Sequence, residues 1–183
     1  MRVISGKYKG KKLFSPMDNS VRPTTDRIKE TLFNILFSKG AVFGTVLDLF
    51  SGSGALGIEA VSRGAELAVF IDIDPQSLKL TRQNIAHVGI TNCEIYHNDF
   101  LSATKKLKGR KFDIIFADPP YGLRIEPKIV ESVVKNELLS ENGILIIEHS
   151  TKNKLQIDEE SFIIDERVCG NTTLTFVTER RFK

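Results

Sequence analysis

Between Phe116 and Arg124 the chain reads FADPPYGLR, so the apolar run FDIIFA stops on a carboxylate, two prolines and a tyrosine. Asp118 can accept one hydrogen of an amino group and the carbonyl of Pro119 can accept the other. Pro119 and Pro120 offer no N–H and fix φ, which keeps these acceptors preorganised. Tyr121 adds a flat face on which an unpaired base can stack. Such a pocket suits in-line methyl transfer to a planar exocyclic nitrogen. Holding both hydrogens exposes a lone pair otherwise delocalised into the ring, and near-attack alignment then contributes most. The plain alternative is a strand-ending Asp-Pro turn with no chemistry.

A second constellation lies in LDLFSGSGALGIEA, where Gly52-x-Gly54-x-x-Gly57 follows an apolar run and opens a helical pattern. With Asp72 and Asp74 about twenty residues on, this is the spacing of a dinucleotide fingerprint. Charge argues otherwise. Asp48 ends the same strand, where a pyrophosphate drawn to the helix N-terminus would meet a carboxylate. S-adenosylmethionine carries a sulfonium and an ammonium and no phosphate, and the glycines would admit its methionyl part and ribose. A third reading keeps the glycines for a tight turn alone. With the methyl donor, Asp72 can accept both ribose hydroxyls, and Asp99 can accept from the adenine amino group with Phe100 against the ring. Asp99 is equally suited to cap the next helix, and it can do both. No metal is expected: Cys93 and Cys169 form no C-x-x-C pair and read as buried free thiols, and His87, His97 and His149 lack ligand spacing.

These residues need elements to position them. RVIS and KKLF flank GKYKG as a short N-terminal β-hairpin, and Thr24 to about Lys39 is helical, with Ile28, Leu32, Ile35 and Leu36 on one face, Thr24 or Thr25 as cap and Gly40 as stop. From Thr45 strands and helices alternate. TVLDLF, LAVFIDI, CEIYH, FDIIFA and GILIIEH read as strands. ALGIEAVSR, the segment from Asp74 and Pro75 to Gly89, FLSATKKL and the stretch around Ile129–Leu138 read as helices. FIIDERV and TTLTFVTER across CGN close the chain as an antiparallel hairpin. Alternation implies right-handed crossovers and an α/β, doubly wound, mainly parallel sheet.

Composition bounds the setting. At 183 residues the chain fits one domain, with a basic segment over 1–40 and a cofactor-binding catalytic core over 41–183. No apolar run approaches the roughly 18 residues of a membrane span, and the start lacks an apolar core with a cleavage site, so a cytoplasmic location is expected. The net charge is +3, but residues 1–30 carry Arg2, Lys7, Lys9, Lys11, Lys12, Arg22, Arg27 and Lys29 against Asp18, Asp26 and Glu30. The remainder is therefore acidic, and the basic end is either a phosphate-contacting patch or a solvated face.

At these residues the chain resembles a class I S-adenosylmethionine-dependent methyltransferase, and DPPY is the signature of enzymes that methylate amino groups. MRVISGKYKGKKL, RPTTDRIKETLFNIL, LDLFSGSGALGIEAVSRGA and CGNTTLTF strongly resemble the RsmD family, which methylates the N2 of one guanine of 16S ribosomal RNA. The resemblance spans essentially the whole chain. It implies a seven-stranded sheet with the last strand antiparallel, S-adenosylmethionine as cofactor, and 16S RNA or the assembling small subunit as partner. It further implies that Asp48, Phe50, Gly52 and Gly54 hold the methionyl end, Asp72 the ribose, Asp99 and Phe100 the adenine, and Asp118 to Tyr121 the guanine. The basic hairpin with Arg2, Lys7, Lys9, Lys11 and Lys12, and the segment Arg22 to Arg27, would face RNA. One departure is Asp72, where the family often has Glu. The competing readings are a DNA adenine-N6 methyltransferase, a nicotinamide oxidoreductase suggested by the glycines alone, and a non-catalytic RNA-binding module suggested by the basic arm alone.

Overall fold

The computed structural model describes residues 1–16, 26–120 and 122–180. After α1 (Asp26–Ser38) the chain alternates through β1 (Thr45–Asp48), α2 (Ala55–Ser62), β2 (Leu67–Asp72), α3 (Pro75–Val88), β3 (Cys93–His97), α4 (Phe100–Lys106), β4 (Phe112–Ala117), α5 (Glu126–Lys135) and β5 (Leu139–Ser150). It closes with β6 (Phe162–Cys169) and β7 (Thr172–Glu179). The strands form one sheet in the order β3-β2-β1-β4-β5-β7-β6. β1 to β5 are parallel, and β7 pairs antiparallel with both β5 and β6. The α/β doubly wound sheet and its C-terminal antiparallel hairpin are as the sequence pattern predicts.

Both faces of this sheet are covered. Alternate residues such as Val46, Phe70, Phe116 and Phe176 pack with α1, α2 and α3, while Leu47, Val69, Ile115 and Leu145 pack with α4 and α5. That double cover is why the parallel strands read as continuous apolar runs. Strand order reverses at β1, which has β2 on one side and β4 on the other, so Asp48 stands level with both Phe70 and Phe116. A crevice outside the carboxyl ends of β1 and β4 follows from that topology.

Local signals set most boundaries. Asp74 caps α3 by accepting from the N–H groups of Gln76 and Ser77, Pro75 is its first residue, and Gly89 ends it at φ 87°. Gly57 lets α2 lie against β2, because a methyl at that position would collide with the Phe70 ring. β5 begins at Leu139 rather than Gly143. Leu139 pairs with Phe112 and the register then jumps to Ile144 opposite Ile114, so Ser140 to Gly143 form an excursion that apolar patterning does not reveal.

The N-terminal hairpin expected from the sequence is reduced to one antiparallel bridge, Arg2 with Lys12. Three backbone hydrogen bonds still join the arms, Val3 N–H to Lys11 O (2.9 Å), Gly10 N–H to Val3 O (2.9 Å) and Leu13 N–H to Met1 O (3.0 Å), while the donors between them turn to side chains of α2. Glu59 accepts from the N–H groups of Ile4 (2.8 Å) and Ser5 (3.0 Å), and Ser62 Oγ accepts from Tyr8 N–H (2.9 Å). Lys29, counted with the basic patch on sequence, is instead fully buried. Its Nζ lies 2.6 Å from the carbonyl of Arg2 and 3.5 Å from Glu59 Oε2, and Arg63 Nε donates to Glu59 Oε1 at 2.8 Å. Burial pulls the Lys29 ammonium below its usual pKa, against the raising effect of Glu59.

Removing Lys29 takes one buried cation from Glu59, which keeps Arg63 and two backbone N–H donors, and frees the carbonyl of Arg2, so Lys29→Ala should lower unfolding free energy in urea by about 1–3 kcal/mol. A loss under 1 kcal/mol would show that the pair does not hold the N-terminal segment. Gly57→Ala should cost about 1–3 kcal/mol by overpacking against Phe70, again read by urea titration.

Candidate active site

The site is assembled from the loops that follow β1, β2, β3 and β4. The glycine loop after β1 is tethered at several points: Ser51 N–H donates to Ile71 O (2.9 Å) and Gly54 N–H to Ser51 O (2.6 Å). Gly52 N–H donates to Asp72 Oδ2 at 2.8 Å. Gly54 precedes α2 at φ 78°, a left-handed conformation that glycine adopts without steric penalty.

Two buried polar side chains of α3 complete the anchorage and were not singled out on sequence. Thr81 Oγ1 donates to Gly52 O at 2.9 Å, and Asn84 Nδ2 donates to Ser53 O at 2.8 Å. Asn84 also exchanges hydrogen bonds with the backbone of Phe14 (2.7 and 3.0 Å), joining the N-terminal segment to the glycine loop. Their sequence signal is available in hindsight: both are polar residues on the face that α3 otherwise buries with Leu78, Ile85 and Val88.

Asp48 is 2% exposed. Its Oδ2 accepts a long hydrogen bond from Gly57 N–H (3.3 Å), and its Oδ1 has no hydrogen-bond partner among the described residues. Burial pushes its pKa up to about 7. The Gly57 amide opposes the shift, Asp118 and Asp72 add to it through their negative charge, and the amide of Phe50, outside hydrogen-bonding geometry, pulls weakly downward. Three carboxylates from three strand ends thus converge. An orphaned buried oxygen beside two further acids is a site for a cation, which disfavours a pyrophosphate here.

Asp72 uses both oxygens on backbone, accepting from Gly52 and from Asp74 N–H (2.9 Å), so each retains one further lone pair. Asp99 caps α4 by accepting from Ser102 N–H at 2.9 Å, and its hydrogen bonds with Ser102 hold the carboxyl below its usual pKa. Phe50 and Phe100 meet with ring centroids 5.5 Å apart at 42°, which brings the loops after β1 and β3 together. Asp118 follows β4, Pro119 is buried and Pro120 exposed, while Tyr121 lies outside the described residues.

The basic residues are divided between two edges. Lys7 N–H donates to Ser62 O and Lys11 Nζ to Val88 O, at the carboxyl ends of α2 and α3. Helices of a parallel βαβ unit run opposite to the strands, so this edge is remote from Asp48 and Asp118. Lys9 and Lys12 are exposed in the same segment, and Arg2 pairs with Asp26 at 3.9 Å. Arg27 is exposed in the first turn of α1, and Arg22 lies outside the described residues. Among the described residues no group of three or more His, Cys, Asp or Glu could hold a metal, and no helix is long and apolar enough to cross a membrane.

The family model described as Conserved hypothetical protein 95 matches residues 1–178. The ribosomal RNA small subunit methyltransferase D of Escherichia coli strain K12 is 34% identical over 171 residues, covering 93% of this chain and 85% of that protein. Its counterpart from Buchnera aphidicola subsp. Baizongia pistaciae is 35% identical over 165 residues, with coverage of 90% and 84%. The solved structure of yhhF from Escherichia coli superposes with a TM-score of 0.85 at 31% identity, over 98% of this chain and 97% of that one. With a full-length family match, relatives at this identity and the same sheet, the chain belongs to the RsmD family, described as Conserved hypothetical protein 95.

Proposed function

We propose that the protein transfers a methyl group from S-adenosylmethionine to the exocyclic N2 amino group of a guanine in 16S ribosomal RNA. The observation that carries the donor is Asp48, whose buried Oδ1 lacks a partner where the carboxylates of Asp72 and Asp118 also converge. The RNA substrate rests on the names of the relatives.

When bound, S-adenosylmethionine supplies an electrophilic methyl group on a sulfonium. Asp48 would hold the methionyl ammonium, with Phe50, Gly52 and Gly54 beside it. The spare lone pairs of Asp72 would accept from the ribose hydroxyls, while Asp99 and Phe100 would hold the adenine. Asp118 and the carbonyl of Pro119 accept the two hydrogens of the guanine amine and so aim its nitrogen lone pair. The amine nitrogen would take the methyl as the sulfonium S–C bond breaks, leaving S-adenosylhomocysteine, and the amine, made acidic by the new N–C bond, would give its proton to Asp118 or to water. Orientation and an acceptor field are therefore what these residues contribute. The bases of RNA, once unstacked, stack on aromatic side chains, the role given to Tyr121. Arg2, Lys7, Lys9, Lys11, Lys12, Arg22 and Arg27 contact RNA phosphates.

Asp118→Ala should abolish tritiated methyl transfer to methyl-deficient small-subunit particles while sparing S-adenosylhomocysteine binding in calorimetry. Retained transfer would sink the mechanism, and transfer to duplex DNA in place of RNA would overturn the substrate.

Asp48 makes the free protein sensitive to pH with a definite sign. Its folded pKa, about 7, exceeds the ordinary 3.8, so the folded state holds the proton more tightly between these values. Stability from this group therefore falls as pH rises from about 4 to 7. The melting temperature of the wild type minus that of Asp48→Asn should decline over that window and level off above it. A difference that stays flat would show an ordinary, solvated carboxylate.

A further inference from the structure

A polar cleft lies at the far edge of the sheet, on the same side as the catalytic carboxylates. β6 runs in the sense of β1 to β5, because it and β5 are both antiparallel to β7. Its carboxyl end, Arg167 to Cys169, and the Gly170–Asn171 turn therefore lie at the edge where Asp48 and Asp118 sit. There the first turns of α1 face β6 and enclose a cleft of about 540 Å³ whose lining includes Arg27, Thr31, Arg167 and Asn171. This is within the roughly 300–1,000 Å³ range of ligand clefts.

Neither arginine takes part in the ion pairs of the described residues. Three of the acids near them are engaged elsewhere. Asp26 pairs with Arg2, Asp165 pairs with Lys39 at 2.6 Å, and Glu166 accepts from Thr175 Oγ1 at 3.3 Å. Strand alternation puts Arg167 on the α1 face with Asp165, and Glu166 on the opposite face. The cleft thus presents two permanently charged guanidinium groups, which repel each other unless an anion lies between them. Guanidinium groups bind phosphate through paired N–H donors.

We infer that Arg27 and Arg167 form a clamp for a backbone phosphate of the RNA strand that delivers its base to the crevice. The inference rests on the RNA reading above and adds Arg167, which nothing in the sequence pattern marked. Three strand spacings of about 4.8 Å separate β4 from β6, so the clamp would grip the strand a few nucleotides from the target. Lys7 and Lys11, at the opposite edge, cannot hold the strand so near the reacting base.

The test uses the full chain with methyl-deficient small-subunit RNA as probe. Arg27→Gln and Arg167→Gln should each reduce the salt slope of RNA binding by about 0.7 to 0.9. Each should raise KM for RNA roughly tenfold, the loss of one charged hydrogen-bonded contact, with kcat at saturating RNA and S-adenosylhomocysteine affinity unchanged. Arg167→Lys should keep the salt slope. A double Gln variant that binds S-adenosylhomocysteine and matches the wild type in slope and KM would overturn the clamp alone. Wild-type protein that binds S-adenosylhomocysteine but not RNA would overturn both the clamp and the RNA reading.

Discussion

The burial of a carboxylate at the reversal point of a parallel sheet is the constraint on which the site depends. Asp48 can sit at 2% exposure because β1 is an interior strand, flanked by β2 and β4, in a sheet covered by helices on both faces. The same topology brings Asp72 and Asp118 near it, and their charge makes ionisation of Asp48 harder still. Such a cluster is unfavourable in the free protein and is relieved by a cation. The fold thus stores, in one unsatisfied oxygen, a preference for a positively charged ligand over the phosphates that the glycine spacing alone would suggest.

Holding that arrangement requires a rigid glycine loop, and rigidity comes from buried polar side chains. Thr81 and Asn84 fix the carbonyls of Gly52 and Ser53, and Asp72 fixes the Gly52 amide. Asn84 extends the network to Phe14, while Glu59 and Lys29 hold residues 2 to 5 against α2. The N-terminal segment is therefore continuous with the glycine loop through hydrogen bonds. Its backbone donors are divided between the opposite arm, at Val3, Gly10 and Leu13, and side chains of α2, at Ile4, Ser5 and Tyr8, so the pairing stays short and only one β-bridge forms.

Much of this was legible in the sequence, for identifiable reasons. Period-2 and continuous apolar runs mark strands, Asp74-Pro75 and Gly89 mark both ends of α3, and strand-ending acids mark the crevice. Asp99 was legible as a cap because capping is local. What escaped was non-local. Lys29 carries no sign in its neighbours that Glu59, thirty residues on, will bury it. Nor does Gly143 announce the register jump in β5, which is set by Phe112 and Ile114 on another strand.

Charge counting misleads in the same way, because it weighs residues without regard to the edge they occupy. The N-terminal lysines dominate the tally, yet the hydrogen bonds of Lys7 and Lys11 place them at the carboxyl ends of helices, away from the carboxylates. Arg167, inside an otherwise unremarked strand, lies beside Arg27 at the edge that holds Asp48 and Asp118, because β6 enters the sheet in the sense of β5 and β7 then turns back to pair antiparallel between them. If Asp118 receives a base of an RNA strand, as proposed, a grip close to that base favours binding of that stretch. Contacts at the remote edge would add affinity without favouring it. On the clamp proposed above, the antiparallel hairpin would acquire a role beyond closing the sheet: it carries a cation to the edge where the target stretch of RNA enters, so that its share of the affinity is spent beside the crevice.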